Sequence, residues 1–398
     1  MRLFATAVRL SATAALTLSS VAVGSASAST APPEPTPVPL LKSADAIPGR
    51  YIVTLGKTLD PAKFTAPMGL KPTFTYTQAV NGFAAPLTSQ QLEAVRKAPG
   101  VESVQEDGWA NGLPAAGRGA QPKSPAQSWG LDRIDQRALP LDNDFSAFGS
   151  GQGVTAYIID TGIAFGHPEF GGRARPGFDA IGDGRNGADC NGHGTHVAGT
   201  VGGTTFGVAR KVNLVSVRVL GCDSRGPWSG IIAGFDWVAR NAQQPAVVNA
   251  SLGGDRVQAV NDAATALSDR GVLPVIAAGN SNIDACRVSP ASAARVLTVG
   301  ATNRFDEETD FSNWGECLDL YAPGKDIVSA RLGGGSVALD GTSMAAPHVA
   351  GVAALYKAEH PHALPAEVFT FLTDKSTKDV VQNLSGNGPN RLLFTNGL

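Results

Sequence analysis

What this chain lacks excludes several kinds of protein. Only 17% of its 398 residues are charged and the formal net charge is −2, so it carries no basic excess to attract a nucleic acid. Its four cysteines include no Cys-x-x-Cys pair, which removes the usual structural-zinc spacing. No His-Glu-x-x-His helix and no Gly-x-Ser-x-Gly elbow occur, so the common zinc-protease and lipase signatures are missing. After residue 23 no apolar run is long enough to span a bilayer, and no internal repeat is visible. What is present is 43% hydrophobic residues and 47 glycines, a composition for a large core with many loops, organised in more than one domain.

The amino end reads as an export signal. Met1-Arg2 and Arg9 precede the apolar run from Leu10 to Val23, and Ala26-Ser27-Ala28 supplies the small residues before a cut, so residues 1–28 are expected to be removed and the rest secreted as a soluble protein. Residues 29–45, rich in proline, read as an extended spacer. A small α+β unit follows over 46–108. Strands are expected at Arg50–Leu55, Thr73–Tyr76, Gly82–Ala85 and Val101–Val104, with a helix over Gln90–Lys97 opened by a capping box of Thr88 and Gln91 and a weaker helix from Pro61 to Pro67. A unit of this size is marginal alone and needs something to dock against. Residues 109–127, with Gly, Pro, Ala and Gln in excess, read as a linker open to cleavage.

From 128 to 398 strand and helix patterns alternate, which predicts an α/β domain with a mostly parallel central sheet and helices on both faces. Strands are expected at Val154–Ile159, Val212–Val219, Ala246–Ala250, Val272–Ala277 and Val296–Val299. Helices are expected at His193–Val201, Gly230–Asn241, Val257–Asp269 and from Ser343 onward. Pro274 conflicts with a central strand, because it has no N–H to give to the ladder.

Four residues stand where chemistry is done. Ser343, in Gly341-Thr342-Ser343-Met344-Ala345-Ala346-Pro347-His348, opens a helix whose free N–H groups favour negative charge; an ordinary helix cap is the plain alternative. Pro347 is expected in the first turn, where no N–H is needed. Asp160 ends the first strand of the sheet, facing the crevice where such folds bind ligands, or else simply turning the chain. In His193-Gly194-Thr195-His196, His193 sits at a glycine-flanked position suited to a general base, whereas His196 lies one turn inside the helix as a core histidine. Asn280, after Ala278-Gly279, is either a turn residue or an amide able to bind an oxyanion.

Asp160-Thr161-Gly162, His193-Gly194-Thr195-His196 and Gly341-Thr342-Ser343-Met344-Ala345-Ala346-Pro347 together resemble, in that order, the three signature segments of the subtilisin-like serine proteases. The segment Trp129-Gly130-Leu131-Asp132-Arg133-Ile134-Asp135-Gln136-Arg137 is similar to the proteinase K and aqualysin branch. The unit from Ala46 to Asp107 resembles that family's inhibitory, ferredoxin-like propeptide. The resemblance implies a broad-specificity secreted endopeptidase, made as a zymogen and active as a monomer on protein and peptide substrates, with its own propeptide as intramolecular inhibitor and no nucleic-acid or membrane partner.

It also implies roles for individual residues. Ser343 would be the nucleophile, His193 the base, Asp160 the residue that orients it and Asn280 an oxyanion donor. Substrate would add as a strand between Ser224-Arg225-Gly226-Pro227-Trp228 and Ser251-Leu252-Gly253-Gly254, with Ala278 and Gly279 lining the primary pocket and Trp228 filling a more distant subsite. The four cysteines allow three pairings, of which the resemblance implies Cys190 with Cys222 and Cys286 with Cys317. Structural calcium is implied at Asp132, Asp135, Gln136, Asp142 and Asp144, and again at Asp319 with the carbonyls of Ala294 and Val296. The alternative function is a catalytically silent binding scaffold of the same fold.

Overall fold

The computed structural model describes residues 36–113 and 128–398. The export signal, part of the spacer and residues 114–127 of the linker lie outside the described residues. No helix among the described residues is long and apolar enough to cross a membrane.

Among the described residues, nine strands form the main sheet. Thr155–Asp160 lies in it between Ala246–Ala250 on one side and Asn213–Arg218 on the other, and every pairing except that of Thr377–Lys378 with Arg391–Leu392 is parallel. Side chains alternate across the sheet as the pleat requires. Ala156 and Ile158 join one core with the helices His193–Gly202 and Thr342–Glu359, while Tyr157 and Ile159 join the other with Trp228–Asn241 and Gln258–Asp269. Burial on both faces explains the near-continuous apolar runs in these strands. From Thr155–Asp160 the chain first goes to the edge strand Ala174–Asp179, fills the place between them with Asn213–Arg218, and then crosses to add Ala246–Ala250 on the opposite side. The order of the sheet reverses there, so a crevice opens beyond the carboxyl ends of these central strands.

Two proline conflicts resolve locally. Pro274 faces Val248 across one edge of its strand, but pairing with Leu297–Thr302 on the other edge begins only at Val275, where an N–H is available. Pro347 is not in the first turn: the helix begins at Thr342, which puts the proline in the second turn. The carbonyl of Ser343 therefore lacks its donor four residues on, and accepts instead from Ser251 Oγ at 3.0 Å.

The amino-terminal unit has the elements expected of it, with Thr88 and Gln91 closing the capping box at the start of Ser89–Lys97. Two boundaries differ. Leu40–Leu41, read as spacer, forms a short strand on Val104 and Gln105. Residues 109–112, read as linker, continue the long strand Val101–Gly112 and pair with Arg225–Pro227 and Leu252–Asp255 of the larger domain.

The Ser251–Ser343 bond yields a stability test. Ser251→Ala leaves a buried carbonyl unpaired and should cost about 1–3 kcal/mol in denaturant unfolding. Adding Pro347→Ala, which restores a backbone donor to that carbonyl, should recover part of the loss. Strictly additive effects would show that the hydroxyl does not substitute for the missing N–H.

Candidate active site

Asp160 ends its strand fully buried, and its Oδ1 accepts from the Thr161 N–H and from His193 Nδ1, each at 2.7 Å. A carboxylate there fixes the ring as the tautomer protonated at Nδ1, leaving Nε2 as the basic nitrogen. Burial pulls the His193 pKa down, but the charge and hydrogen bond of Asp160, reinforced by Asp189, outweigh it and hold it above the ordinary imidazole value. His196 behaves differently. Buried in the core, with Nε2 against the carbonyls of Ile327 and Val337, its pKa falls to about 3 and the ring stays neutral, as a structural histidine does.

Ser343 is the second residue of its helix and wholly buried. Its hydroxyl donates to the carbonyl of Ser251 at 3.2 Å, and His193 Nε2 has no hydrogen-bond partner. Thr342 fixes Asn280 from the neighbouring strand end: the Thr342 N–H and hydroxyl donate to Asn280 Oδ1 at 2.9 and 2.7 Å. That leaves the amide nitrogen turned toward Gly341, where a Cβ would come within 2.9 Å of it. Glycine at 341, with φ +149°, is thus required by a close approach as well as by its backbone. Gly279, at φ +109°, donates its N–H to Thr342 Oγ1 beside the buried Ala278.

The docked strand shows what the crevice holds. Asn111 lies between Arg225 and Gly253, Ala110 faces Gly226, Trp109 faces Pro227 and Gly112 faces Leu252, while the Gly112 N–H donates to the Ser224 carbonyl at 2.7 Å. A cavity of about 840 Å³ runs along this strand, bounded by Gly112, Leu113, Asn191, His193, Ser224 and Gly253 among others. One boundary differs from expectation: the flanking strand ends at Pro227, and Trp228 begins the helix Trp228–Asn241, 1% exposed with the docked strand in place, beside Gly254 and in the same apolar cluster as Ala110. Gly254 itself pairs with Ser289 rather than with the docked strand.

The amino-terminal unit is held by polar contacts to that same helix. Asp107 accepts from the Ser229 N–H and Oγ at its first turn, where negative charge is favoured. Asp236 accepts three successive N–H groups from Thr77, Gln78 and Ala79.

Disulfides join Cys190 to Cys222 and Cys286 to Cys317. The acidic segment folds on itself: Asp132 accepts from the N–H groups of Asp142 and Asn143, Gln136 Oε1 from Asp142 and Asp135 from Ser146, while Asp144 accepts the Ser146 hydroxyl. Burial and the charge of Asp142 raise the pKa values of Asp132 and Asp135, a repulsion that a cation would relieve. Asp319 shares a cavity of about 600 Å³ with Val296, and burial raises its pKa to about 6; the Ala294 carbonyl already accepts from Thr265 Oγ1. Among the described residues, the one set of three His, Cys or carboxylate ligand atoms within 4.8 Å of one another is Asp183 with Cys190 and Cys222, whose sulfurs are consumed in the disulfide.

The sheet, its reversal and the residues on its rim define a subtilisin-like α/β protein carrying an inhibitor-type α+β unit. Family models agree: residues 151–393 match the subtilase family and residues 67–109 the peptidase inhibitor I9 family. The chain is 44% identical over 382 residues to an extracellular serine proteinase of Thermus sp. (strain Rt41A), covering 89% of this chain and 91% of that protein. It is 47% identical over 320 residues to alkaline serine exoprotease A of Vibrio alginolyticus, covering 80% of this chain and 59% of the Vibrio protein. A crystal structure of a cold-adapted subtilisin-like serine proteinase superposes with a TM-score of 0.67 at 50% identity, over 68% of this chain and 98% of that one. The chain belongs to the subtilase family of serine peptidases.

Sequence reasoning missed Asp189 and the anchoring role of Thr342. Titration of the His193 ring, followed by NMR, should have its midpoint above the ordinary 6.5. A midpoint below that value would mean that burial, not the carboxylates, governs the ring.

Proposed function

We propose that this subtilase is a secreted serine endopeptidase of broad specificity that uses Asp160, His193 and Ser343 and is processed from a zymogen. The observation that carries the reading is the 2.7 Å bond from His193 Nδ1 to the buried Asp160, which leaves a basic Nε2 with no other partner at the crevice that holds a peptide strand.

In the mechanism, Ser343 turns its hydroxyl from the Ser251 carbonyl toward His193 by a change of side-chain rotamer as substrate arrives. Its oxygen attacks the scissile carbonyl while His193 Nε2 takes the proton, and Asp160 stabilises the resulting imidazolium. The oxyanion is bound by the Asn280 amide and the Ser343 N–H, the latter at a helix terminus with no intrahelical acceptor. His193 then gives its proton to the leaving amine, and water hydrolyses the acyl-enzyme.

Substrate takes the place of residues 109–112, bound through main-chain pairing to Arg225–Pro227 and Leu252–Gly253. Such pairing reads little side-chain identity, which favours broad specificity, with apolar side chains accepted beside Ala278 and Gly279. The amino-terminal unit inhibits by filling this strand position, and the cut that frees the enzyme falls between Asp107 and Ser128. Removal of residues 1–28 accompanies export. Calcium supplies structural charge neutralisation, held by Asp132, Asp135, Gln136, Asp142 and Asp144 and by Asp319 with the Val296 and Ala294 carbonyls.

Ser343→Ala should fold normally and lose peptide hydrolysis by at least a thousandfold; substantial turnover by the purified variant would overturn the assignment. Chelation with EDTA should lower the melting temperature by several degrees through loss of a ligand that binds only the folded state. Unchanged melting would remove the calcium assignment and leave the catalytic one standing.

A further inference from the structure

Asp189 is a second buried carboxylate near the reactive pair, and its bonds are unusual in what they connect. Oδ1 accepts from the Thr161 hydroxyl at 2.9 Å and from the N–H groups of Asn191 and Gly192 at 2.9 and 3.0 Å. Oδ2 accepts from the Thr195 N–H at 3.0 Å and from its hydroxyl at 2.5 Å. Thr161 follows Asp160 directly, whereas Asn191, Gly192 and Thr195 surround His193. One carboxylate therefore ties together the two segments that must bring Asp160 and His193 to bonding distance.

The helix that carries His193 has glycine at its cap and no side-chain cap of the ordinary kind. Asp189 supplies the acceptor for the third residue of that helix, Thr195, from outside it, and puts negative charge at the positive end of the helix. A relay continues the link: the Gly194 N–H donates to Thr161 Oγ1 at 2.9 Å, and that hydroxyl donates onward to Asp189. Gly194 has no room for a side chain, since a Cβ would lie 2.2 Å from the Gly162 carbonyl, so the two segments touch backbone to backbone.

We propose that Asp189 is a positioning residue for the hydrolysis reaction, holding the Asp160 and His193 segments in register and adding negative charge behind the imidazole. This rests on the reading of Asp160, His193 and Ser343 given above. Asp189 acts on the base in two ways. Its five bonds limit how far the ring can move from Asp160, and its charge favours the imidazolium that forms when Ser343 gives up its proton. The other charged groups nearby are Asp160 itself and Arg218, whose guanidinium reaches the Thr161 carbonyl and the Cys190 sulfur and is paired with Asp179 and Asp183. The neighbouring ring, His196, is neutral. Substituting Asp189 leaves these in place.

Asp189→Asn keeps the shape, removes the charge and puts an NH₂ group where an oxygen accepted. Two measurements test it. On the full-length Ser343→Ala chain, which needs no activity to be studied, NMR titration of His193 should shift downward by at least half a pH unit when Asp189→Asn is added. In the active background, kcat should fall at least tenfold with KM within threefold. An unmoved His193 titration would overturn the proposal, since a purely structural residue would lower activity without moving the ring's midpoint. Should Asp189→Asn fail to fold, Thr161→Val and Thr161→Ser carry the test. The serine variant, which keeps the hydroxyl on Asp189, should have a kcat at least fivefold above that of the valine variant, and equal values would overturn the link. Hydrolysis surviving in Ser343→Ala would refute the catalytic reading by itself, independently of how His193 titrates.

Discussion

A carboxylate sealed from water has to be stabilised by the chain itself, and Asp160 is the point at which the rest of the structure answers that demand. Its side chain is fully buried, Oδ1 takes two donors and Oδ2 takes none. A carboxylate so placed is held by hydrogen bonds, one from the Thr161 N–H and one from the His193 ring. The tautomer of His193 and the availability of Nε2 follow from the second of these bonds, and the raised basicity of the ring follows from it together with the charges of Asp160 and Asp189. Two elements distant in the chain are thus committed to one geometry.

The parallel sheet explains why the acid stands there at all. Reversal of strand order beside Thr155–Asp160 places its carboxyl end and that of Ala246–Ala250 side by side at the crevice. Ser251, just past the second of these strands, shares bonds in both directions with Ser343. The helix that Ser343 opens, broken in its backbone ladder by Pro347, is therefore anchored to the sheet at Ser343 itself. The amino-terminal unit uses the same crevice as a sheet edge. Its last strand runs into it as an added strand, while its Asp107 binds the first turn of the helix that starts beside it and Asp236, on that helix, accepts the N–H groups of Thr77, Gln78 and Ala79.

Much of this was legible in the sequence, for identifiable reasons. The sheet strands announce themselves because both faces are buried, and the signature segments stand at strand and helix ends, where flanking glycines are local markers. The capping box of Thr88 and Gln91 is likewise a local pattern. What was not legible depends on contacts between distant residues. Residues 109–112 look like linker because their strand partners lie more than a hundred residues away. Trp228 looks like the end of a flanking strand, yet that strand stops at Pro227 and Trp228 starts the helix, two residues before the Gly230 that the pattern suggested. Pro347 looks like a first-turn proline, yet counted from Thr342 it is the sixth residue of the helix and lies in its second turn. Asp189 carries no pattern in the sequence, since its meaning lies wholly in which N–H groups surround it.

The central claim, that Ser343 is a nucleophile served by His193, is tested most directly by a crystal structure of the processed enzyme after reaction with a serine-directed phosphonate. The account predicts phosphorus bonded to Ser343 Oγ, a phosphonyl oxygen bound by the Asn280 amide and the Ser343 N–H, and His193 Nε2 at hydrogen-bond distance from the adduct. Phosphorus on a different residue, or an adduct on Ser343 with His193 out of bonding reach, would contradict it.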